Sequence, residues 1–324
     1  MLVLRFCLVV AIGLTIAPQA TFIDPRLSIF AAFAPQFALG SLALAAVLAF
    51  RHRKLAIIGV LAAAWNAYLV LPTIFNNTPV PPDGPPLKIV SLNLWYDNQR
   101  FAETLDYLRR SGADLIGLNE VTPASKVLLE ALRPTYPYSV DCVETHVVCD
   151  VMLFSRLPIR NGFAGSAGAK LAYVARGDVD WQGRIVSVVV THPILPFIRQ
   201  DWAPMLALLP PDDPSPQLPG APQVWQSMQL AAIAQYSASL APDRIVMGDF
   251  NSVAWGQAQS AFRAASGLEN RGFFAPGWTL QVPAVFRIQI DHVFTGGVLA
   301  VSSLRTGPDV GSDHLPVEAE IVLK

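Results

Sequence analysis

Residues 245–251, with the sequence Ile-Val-Met-Gly-Asp-Phe-Asn, form an apolar run that ends in an aspartate and an asparagine. Side chains alternate between the two faces of a β-strand, so Asp249 and Asn251 are expected on the same face of its end. A carboxylate and an amide placed together suit the handling of an attacking water and a charged oxygen. Considered alone, the pattern fits equally well a structural strand that ends in an Asx-type turn.

Three further apolar runs end in the same kind of polar residue. Residues 88–93, 114–120 and 287–292 are each long enough for a buried strand, and they end in Asn, Glu and Asp-His. Structural strands are more often bounded by Gly, Ser or Pro. A Gly-Ser-Asp-His cluster at residues 311–314 precedes a closing strand predicted at residues 317–323. Together these strand ends predict a functional site.

The ordered motifs resemble those of the endonuclease/exonuclease/phosphatase superfamily, which includes pancreatic-type deoxyribonuclease, abasic endonucleases, inositol polyphosphate phosphatases and neutral sphingomyelinases. Each motif is weak alone, but the ordered set is specific. The motifs are SLN with Asn93, LNE with Glu120, TH with His192, GDFN with Asp249 and Asn251, IDH with Asp291, and SDH with Asp313 and His314. The resemblance covers residues 87–324 and implies a four-layer α/β sandwich, in which two packed mixed β-sheets are flanked by helices.

The spacing of apolar residues supports the same architecture. Amphipathic helices are predicted at residues 101–110, 123–133 and 223–240, and strands at residues 170–179 and 184–191. Two β segments at residues 136–140 and 147–155 are predicted to pair, with a hairpin around residues 142–156. Residues 193–221 are rich in proline and have no periodic pattern. We expect this segment either to form one wall of the cleft beside His192 or to be a surface insertion.

The first 75 residues contain three apolar stretches, at residues 2–17, 27–50 and 55–75. The second and third are long enough to cross a hydrocarbon core of about 30 Å at about 1.5 Å per helical residue. We therefore expect a transmembrane region of three helices at residues 1–75. The alternatives are a signal peptide in the first stretch, cleaved near residues 17–20, and buried helices of a soluble domain.

Basic residues predict the orientation of the chain in the membrane. Residues 51–54, Arg-His-Arg-Lys, separate the second and third stretches, whereas the preceding loop contains only Arg26 beside Asp24. Since basic loops stay in the cytoplasm, three spans would place the rest of the chain outside it. The expected location is the inner membrane, with a proline-rich linker at residues 76–86 and a periplasmic catalytic domain at residues 87–324.

Cys142 and Cys149 lie at the facing ends of two predicted β segments, with six residues between them. An oxidising periplasm would allow this pair to close the hairpin as a disulfide. Two buried thiols are the alternative. A zinc site is not favoured, because His146 is the single nearby candidate for a third ligand.

The charge of the predicted catalytic domain bears on its substrate. After Pro86 the chain has 18 Lys and Arg residues and 22 Asp and Glu residues, a net charge of about −4. Proteins that bind the nucleic-acid backbone without sequence preference usually have more Lys and Arg residues than Asp and Glu residues. The composition therefore weakens a nuclease interpretation, although a local basic groove on an acidic domain would still permit it.

Phosphoester hydrolysis needs a Lewis acid, an activated water and stabilisation of the leaving group. The candidate oxygen ligands for Mg²⁺ or Mn²⁺ are Asn93, Glu120 and Asp313. Asp249 is the candidate to polarise the attacking water. Asn251 is the candidate amide donor to a non-bridging phosphate oxygen.

Two histidines complete the predicted machinery. The Asp291 carboxylate would fix the tautomer of His314 and raise its basicity, so that the other ring nitrogen meets the phosphate as imidazolium. His192 is expected on the other side of the phosphate, where resemblance to the deoxyribonuclease branch implies help to the leaving group; Asp150 is a candidate partner. His292 is expected to point to the opposite face of its strand and to be structural.

These features predict a membrane-anchored, divalent-metal-dependent phosphoesterase, more specifically a phosphodiesterase, with an extracytoplasmic substrate. The substrate stays open among nucleic acid, nucleotide and lipid head group, because the chain lacks the basic DNA-penetrating loops of the abasic endonucleases and the basic signature of the inositol phosphatases. Alternatives are an extracytoplasmic nuclease, a phospholipid or sphingolipid head-group phosphodiesterase, and a catalytically inactive binding module. No obligate protein partner is evident.

Overall fold

A pair of β-sheets forms the centre of the region after residue 84. The computed structural model describes residues 2–21, 23–75, 84–143, 149–169, 172–196, 222–270 and 274–324. In chain order its elements are α1 (Leu2–Ile16), α2 (Ala34–Ala49), α3 (Arg53–Phe75), β1 (Leu87–Asn93), α4 (Phe101–Arg110), β2 (Leu115–Asn119), α5 (Pro123–Leu129), β3 (Tyr138–Asp141), β4 (Met152–Ser155), β5 (Ile159–Ser166), β6 (Tyr173–Trp181), β7 (Arg184–Thr191), α6 (Pro222–Ala238), β8 (Arg244–Asp249), α7 (Gln257–Ser266), β9 (Asp291–Gly296), β10 (Leu299–Thr306) and β11 (Val317–Leu323). Short 3₁₀ helices occupy Ala17–Gln19, Pro25–Phe33, Glu130–Leu132 and Ala284–Phe286.

The strands form two mixed sheets, which confirms the predicted architecture. Among the described residues, one sheet has the order β10-β11-β1-β2-β4-β3 and the other the order β5-β6-β7-β8-β9. β1 and β2 are parallel, as are β7 and β8, whereas the other pairs are antiparallel. β2 is buried at every position, as expected of a strand that is covered on both faces.

Three apolar clusters separate the layers of the molecule. One lies between the sheets and contains Ile89, Val190 and Met247. A second covers the outer face of the first sheet and includes Leu108 of α4. A third covers the outer face of the second sheet and includes Phe262 of α7. The result is a helix–sheet–sheet–helix sandwich.

The strand pairing brings distant parts of the chain to one edge of the sandwich. Asn93, the last residue of β1, is opposite Asn119, the last residue of β2. In the second sheet β9 runs antiparallel to β8, so Asp291 at its start is opposite Asp249 at the end of β8. Since β11 also runs antiparallel to β1, residues 311–316 lie at the same edge.

The strand predicted at residues 287–292 is wrong in its bounds. Residues 287–290 lie outside any named strand, apart from a bridge between Ile288 and Trp278, and β9 begins at Asp291. Asp291 therefore occupies a strand start rather than a strand end. Its carboxylate still reaches the common edge, because the start of an antiparallel strand lies beside the end of its partner.

The described part of the N-terminal region forms a helical unit with two long apolar helices rather than the three predicted. Arg26–Ala49, with 24 residues, and Arg53–Phe75, with 23 residues, are long and apolar enough to cross a membrane by length and composition. α1 has 15 residues, a length of roughly 22 Å, which is short of a hydrocarbon core of about 30 Å. The expectation of three spanning helices is therefore not supported for the first stretch.

Small and polar side chains hold this helical unit together. A Cβ atom on Gly59 of α3 would lie 3.0 Å from Cβ of Ala45 in α2, so the glycine permits close packing of the two helices. The buried amide of Asn66 donates to Oγ1 of Thr15 at 2.9 Å and links α3 to α1.

The 3₁₀ segment Pro25–Phe33, called the 3₁₀ segment below, contacts the catalytic region. Nε1 of Trp255 donates to the carbonyl of Ala31 at 2.6 Å. Ala32 is buried in a cluster with Val253, Ile288 and Ile290. At the start of α2, Nε2 of Gln36 donates to the carbonyl of Val285 at 3.1 Å. These contacts place the N-terminal helices directly against the sandwich.

Cys142 and Cys149 are joined in a disulfide, as predicted. It lies beside the antiparallel pair β3 and β4, which correspond to the predicted hairpin. His146 lies outside the described residues, as do residues 76–83 of the predicted linker and residues 197–221 of the predicted proline-rich segment.

Candidate active site

The eight predicted site residues lie together at the edge where the strands end. A continuous chain of side-chain contacts, each 3.8 Å or shorter, joins Asn93, Glu120, His192, Asp249, Asn251, Asp291, Asp313 and His314. Most of these side chains are buried, and Asp249 is 1% exposed. The structure thus brings together carboxylates, amides and imidazoles from both sheets.

Asn93 is oriented by its own loop. Its Oδ1 accepts from the backbone N–H of Trp95 at 2.9 Å, so its Nδ2 faces Oε1 of Glu120 at 2.9 Å and Oδ2 of Asp249 at 3.1 Å. The predicted role, in which the Asn93 oxygen binds a metal, stays a prediction. The Asn93 Oδ1 accepts one hydrogen bond, from Trp95, and an amide oxygen has two lone pairs, so this bond does not prevent Oδ1 from also binding a cation. The amide nitrogen of Asn93 positions two carboxylates, those of Glu120 and Asp249.

The backbone around the site adopts conformations that side-chain-bearing residues rarely use. Trp95, Glu120 and Asn251 have φ values of 57°, 55° and 49°. Each such residue costs about 1–3 kcal/mol and persists where the surrounding contacts fix it. For Glu120 the fixing contact is a hydrogen bond of 3.0 Å from the Tyr96 N–H to Oε2. Two of these residues, Glu120 and Asn251, contribute side chains to the site, and the third, Trp95, binds Asn93 through its backbone N–H.

Gly248 and Asn119 hold the GDFN strand end in place. A Cβ atom at Gly248, whose φ is +142°, would collide with the carbonyl oxygen of Thr191. Asn119 accepts from the Asp249 N–H at 2.9 Å and donates to the Thr191 carbonyl at 3.0 Å. This buried amide thereby ties β2 to β7 and β8 across the two sheets. Asn119 belongs to the LNE motif, in which the sequence pattern indicates a role only for the neighbouring Glu120.

His192 has a defined partner, Asp150. The Nδ1–H of His192 donates to Oδ2 of Asp150 at 2.7 Å, and Nε2 lies 3.6 Å from Oδ2 of Asp249. Burial alone would lower the pKa of His192, but the Asp150 carboxylate, with Asp249 and Glu120, raises it to about 10. In this protonated form Nε2–H points to Asp249, and the amide of Asn251, 3.2 Å away, keeps its bond to the Pro193 carbonyl.

His314 forms a second imidazole–carboxylate pair. Its Nδ1–H donates to Oδ2 of Asp291 at 2.8 Å, as predicted, and its Nε2 lies 3.7 Å from Oδ2 of Asp249. Burial alone would lower the pKa of His314, but Asp291, followed by Asp249 and Asp313, raises it to about 9. Ser312, the first residue of the SDH motif, accepts from the His314 N–H at 3.0 Å.

Comparison with known proteins identifies the family. A model of the endonuclease/exonuclease/phosphatase family matches residues 90–314. The chain belongs to this family. Its members hydrolyse phosphoester bonds, so the chain is an enzyme of that class. A search of curated proteins gives no match.

Solved structures of similar fold include three that cover most of the catalytic region. A humanized D. rerio TDP2 has a TM-score of 0.55 at 15% identity, over 73% of this chain and 98% of that one. An endonuclease/exonuclease/phosphatase protein from Beutenbergia cavernae DSM 12333 has a TM-score of 0.52 at 17% identity, over 74% and 72%. A Staphylococcus aureus beta toxin mutant with bound magnesium ions has a TM-score of 0.52 at 16% identity, over 72% and 99%. At these identities the likeness shows a shared fold.

The carboxylates of this family member carry more negative charge than the two imidazoles balance. Burial, with a contribution from Asp291, raises the pKa of Asp249 to about 6, although His314 and His192 oppose the shift. Burial also raises the pKa of Asp313, and the charge of Glu120 adds to that shift. Such crowded carboxylates are what a bound cation would stabilise in the charged form.

Among the residues that the structure describes, two sets of side chains offer ligands for a divalent cation. The ligand atoms of Asp249, Asp291 and His314 lie within 4.8 Å of one another. However, Nδ1 of His314 is already bonded to Asp291, and Mg²⁺ prefers oxygen ligands. Glu120 and Asp313 form the other set. Nε1 of Trp278 donates to Oδ2 of Asp313 at 3.1 Å, which leaves Oδ1 available.

His292 is structural, as expected. It is fully buried, its Nε2–H donates to the Ser252 carbonyl at 2.8 Å, and its Nδ1 accepts from Nδ2 of Asn270 at 3.0 Å. Burial lowers its pKa to about 4, so the ring is neutral. The neutral ring anchors the loop that follows Asn251.

Proposed function

We propose that the protein is a membrane-anchored, divalent-metal-dependent phosphodiesterase that acts on a substrate outside the cytoplasm. The observation that carries the proposal is the arrangement around Asp249. Its Oδ2 has a histidine on each side, at 3.6 Å and 3.7 Å, and each histidine is held by a carboxylate of its own. Two imidazolium groups around one carboxylate suit a negatively charged phosphoester, whose charge increases toward the transition state.

The donor set fits a hard cation such as Mg²⁺ or Mn²⁺. Glu120 and Asp313 would supply the oxygen ligands, and the Asn93 amide would orient Glu120 through its bond of 2.9 Å. Among the described residues, the buried Oδ1 of Asp291 has no hydrogen-bond donor, which also suits a site completed by a bound group. When bound, such a cation neutralises charge on the phosphate and lowers the pKa of a bound water.

Asp249 is the proposed proton acceptor for the attacking water. Its Oδ1 is fixed by the Asn251 N–H at 2.8 Å, so Oδ2 is the atom that faces the two histidines and the Asn93 amide. A general base works best when its pKa is near the working pH, and the pKa of about 6 meets that condition.

The two histidines would meet the phosphoester from two sides and would have different roles. With Nδ1 of each ring held by Asp291 or Asp150, both Nε2–H groups point toward the space beside Asp249. His314 would donate to a non-bridging oxygen. His192 would donate its Nε2 proton to the leaving oxygen, the role implied by resemblance to the deoxyribonuclease branch. The Asn251 amide would supply a further N–H to the phosphate.

The membrane anchor and the periplasmic orientation are part of the proposal. They are supported by the two long apolar helices, by the basic loop at residues 51–54 between them, and by a disulfide of the kind formed in oxidising compartments. Because this loop separates α2 from α3, the orientation does not depend on whether α1 crosses the membrane. The division into residues 1–75, 76–86 and 87–324 remains a prediction.

An extracytoplasmic nuclease is the second candidate. The two imidazole–carboxylate pairs favour it, because the deoxyribonuclease branch uses a histidine pair. The net charge of about −4 in the catalytic region opposes it, because nonspecific nucleic-acid binding depends on phosphate neutralisation. A catalytically inactive binding module is not favoured, since all the candidate residues are present and converge.

A phosphodiester panel tests the proposal. Full-length protein in mild detergent is incubated with bis-(p-nitrophenyl) phosphate, a single-stranded oligonucleotide or phosphatidylglycerol in mixed micelles, with Mg²⁺ or with EDTA. We expect Mg²⁺-dependent turnover of the small diester, and the preference between the other two substrates separates the candidates. Absence of turnover of all three, or turnover that survives chelation, would contradict the proposed function.

A further inference from the structure

An apolar cavity of about 380 Å³ lies where the N-terminal helices meet the catalytic region. One wall comes from the 3₁₀ segment and α3, including Ser28, Ile29 and Leu69. The opposite wall follows the GDFN motif and includes Val253 and Trp255. A volume of this size falls in the range of about 300–1,000 Å³ that is typical of small-molecule sites.

The cavity shares a residue with the candidate active site. Asn251 lines the cavity, and its amide nitrogen lies 3.2 Å from Nε2 of His192. Gln226, which also lines the cavity, donates to the Asn251 carbonyl at 2.8 Å. A ligand with its phosphate beside Asp249 could therefore extend past Asn251 into the cavity.

The same side of the catalytic region exposes apolar side chains beside α2. Val285 and Phe286 are 61% and 53% exposed, and the Val285 carbonyl is bonded to Gln36 at the start of α2. Ile288, two residues after Phe286, lines the cavity. Exposed apolar residues next to a long apolar helix are typical of a surface that contacts the membrane interface. The cavity thus lies between the site and the expected bilayer.

We propose that this cavity binds a hydrocarbon chain of a membrane lipid whose phosphodiester head group is the substrate. The inference rests on the proposed function and specifies its substrate class. The walls contributed by Ile29, Leu69 and Val253 provide the apolar surroundings that such a chain requires. A nucleotide has no comparable apolar chain to place there, and the negative charge of the catalytic region does not favour a polyanion.

Photo-crosslinking tests the location of the chain without depending on the head group. Full-length protein is reconstituted in vesicles of equal parts phosphatidylcholine and phosphatidylglycerol, with a phosphatidylcholine that carries a diazirine near the end of one acyl chain. Mass spectrometry then locates the adducts. We expect adducts at residues 253–258, on the catalytic wall of the cavity, in addition to the bilayer-facing surfaces of the helices.

Variants that fill the cavity provide the control. Leu69→Trp fills it from α3, and Ser28→Phe fills it from the 3₁₀ segment; each should lower labelling of residues 253–258 by about fivefold or more, because the added volume displaces the chain. Leu61→Trp is the matched control on the same helix, since Leu61 is 63% exposed and does not line the cavity. It should leave the labelling unchanged.

Turnover of bis-(p-nitrophenyl) phosphate, which has no acyl chain, separates the two proposals. Leu69→Trp and Ser28→Phe should retain this turnover, which also shows that each variant is folded. If the wild type lacks Mg²⁺-dependent turnover, the proposed function fails. If turnover is present but adducts are confined to α1, α2 and α3, or are equally abundant at residues 253–258 in the filled variants, the chain-binding cavity is refuted.

Discussion

Acidification should destabilise the catalytic region through His292. The neutral ring donates from Nε2 to the Ser252 carbonyl and accepts at Nδ1 from the Asn270 amide. A proton added at Nδ1 would face the N–H of Asn270, so the hydrogen bond from Asn270 to His292 would be lost. Because the ring is also fully buried, protonation is unfavourable in the folded state and the pKa is lowered to about 4.

The size of the effect follows from the two pKa values of His292. The ordinary value is 6.5 and the folded value is about 4. A group whose pKa is lowered by folding contributes its full stability above the unfolded pKa and loses it as the pH falls toward the folded pKa. Linkage gives a loss of about 2 kcal/mol between pH 7 and pH 5, and a limit of about 3 kcal/mol below pH 4.

Urea unfolding of the full-length protein in mild detergent, followed by tryptophan fluorescence at pH 7 and pH 5, measures this loss. His292→Gln is the comparison, because glutamine can still donate and accept but does not titrate. Groups such as Asp249 and Asp313 titrate in both proteins, so their contribution cancels. The wild type should lose about 2 kcal/mol more than the variant. Equal losses in the two proteins would refute this account of His292.

Three other changes have defined outcomes. Asp150→Asn should lower kcat by about a hundredfold and should lower the pKa of His192 from about 10, which NMR of the imidazole measures. An unchanged pKa would show that Asp150 does not control the protonation of His192. Gly248→Ala should cost more than about 3 kcal/mol because of the Thr191 carbonyl, whereas Gly168→Ala, with φ +101° and open space around it, should cost less; similar urea midpoints for both variants would contradict the packing argument. Cys142→Ser should cost about 2 kcal/mol, since the disulfide closes a short loop with a sequence separation of 7; an unchanged urea midpoint would show that the crosslink does not stabilise the fold.

The composition of the site could be predicted from the sequence, because strand order brings the ends of apolar runs to one edge of a sandwich. Which side chain contacts which within the site is harder to predict from the sequence. Asp150 is 42 positions from His192 in the chain, and their contact depends on how β4 and β7 lie in different sheets. The orientation of Asn93 depends on the backbone N–H of Trp95, which no residue pattern shows.

The apolar N-terminal stretches illustrate a second limit. Hydropathy located them but did not distinguish a side chain that faces lipid from one that packs on protein. The second stretch begins as a 3₁₀ segment whose Ala31 carbonyl accepts from Trp255, so part of it lies against the catalytic region. Apolar residues satisfy both environments, and only the tertiary contact decides between them.

The most direct test of the central claim is kcat for Mg²⁺-dependent hydrolysis of bis-(p-nitrophenyl) phosphate by single-site variants. Glu120→Gln removes a proposed ligand charge, and His314→Ala removes a proposed phosphate-binding imidazole. Glu130→Gln is the matched control, since Glu130 pairs with Arg133 at the surface. Each site variant should lower kcat by about two orders of magnitude or more, chelation should abolish turnover, and the control should keep wild-type activity. Full activity in Glu120→Gln, or wild-type turnover in the presence of EDTA, would contradict the account.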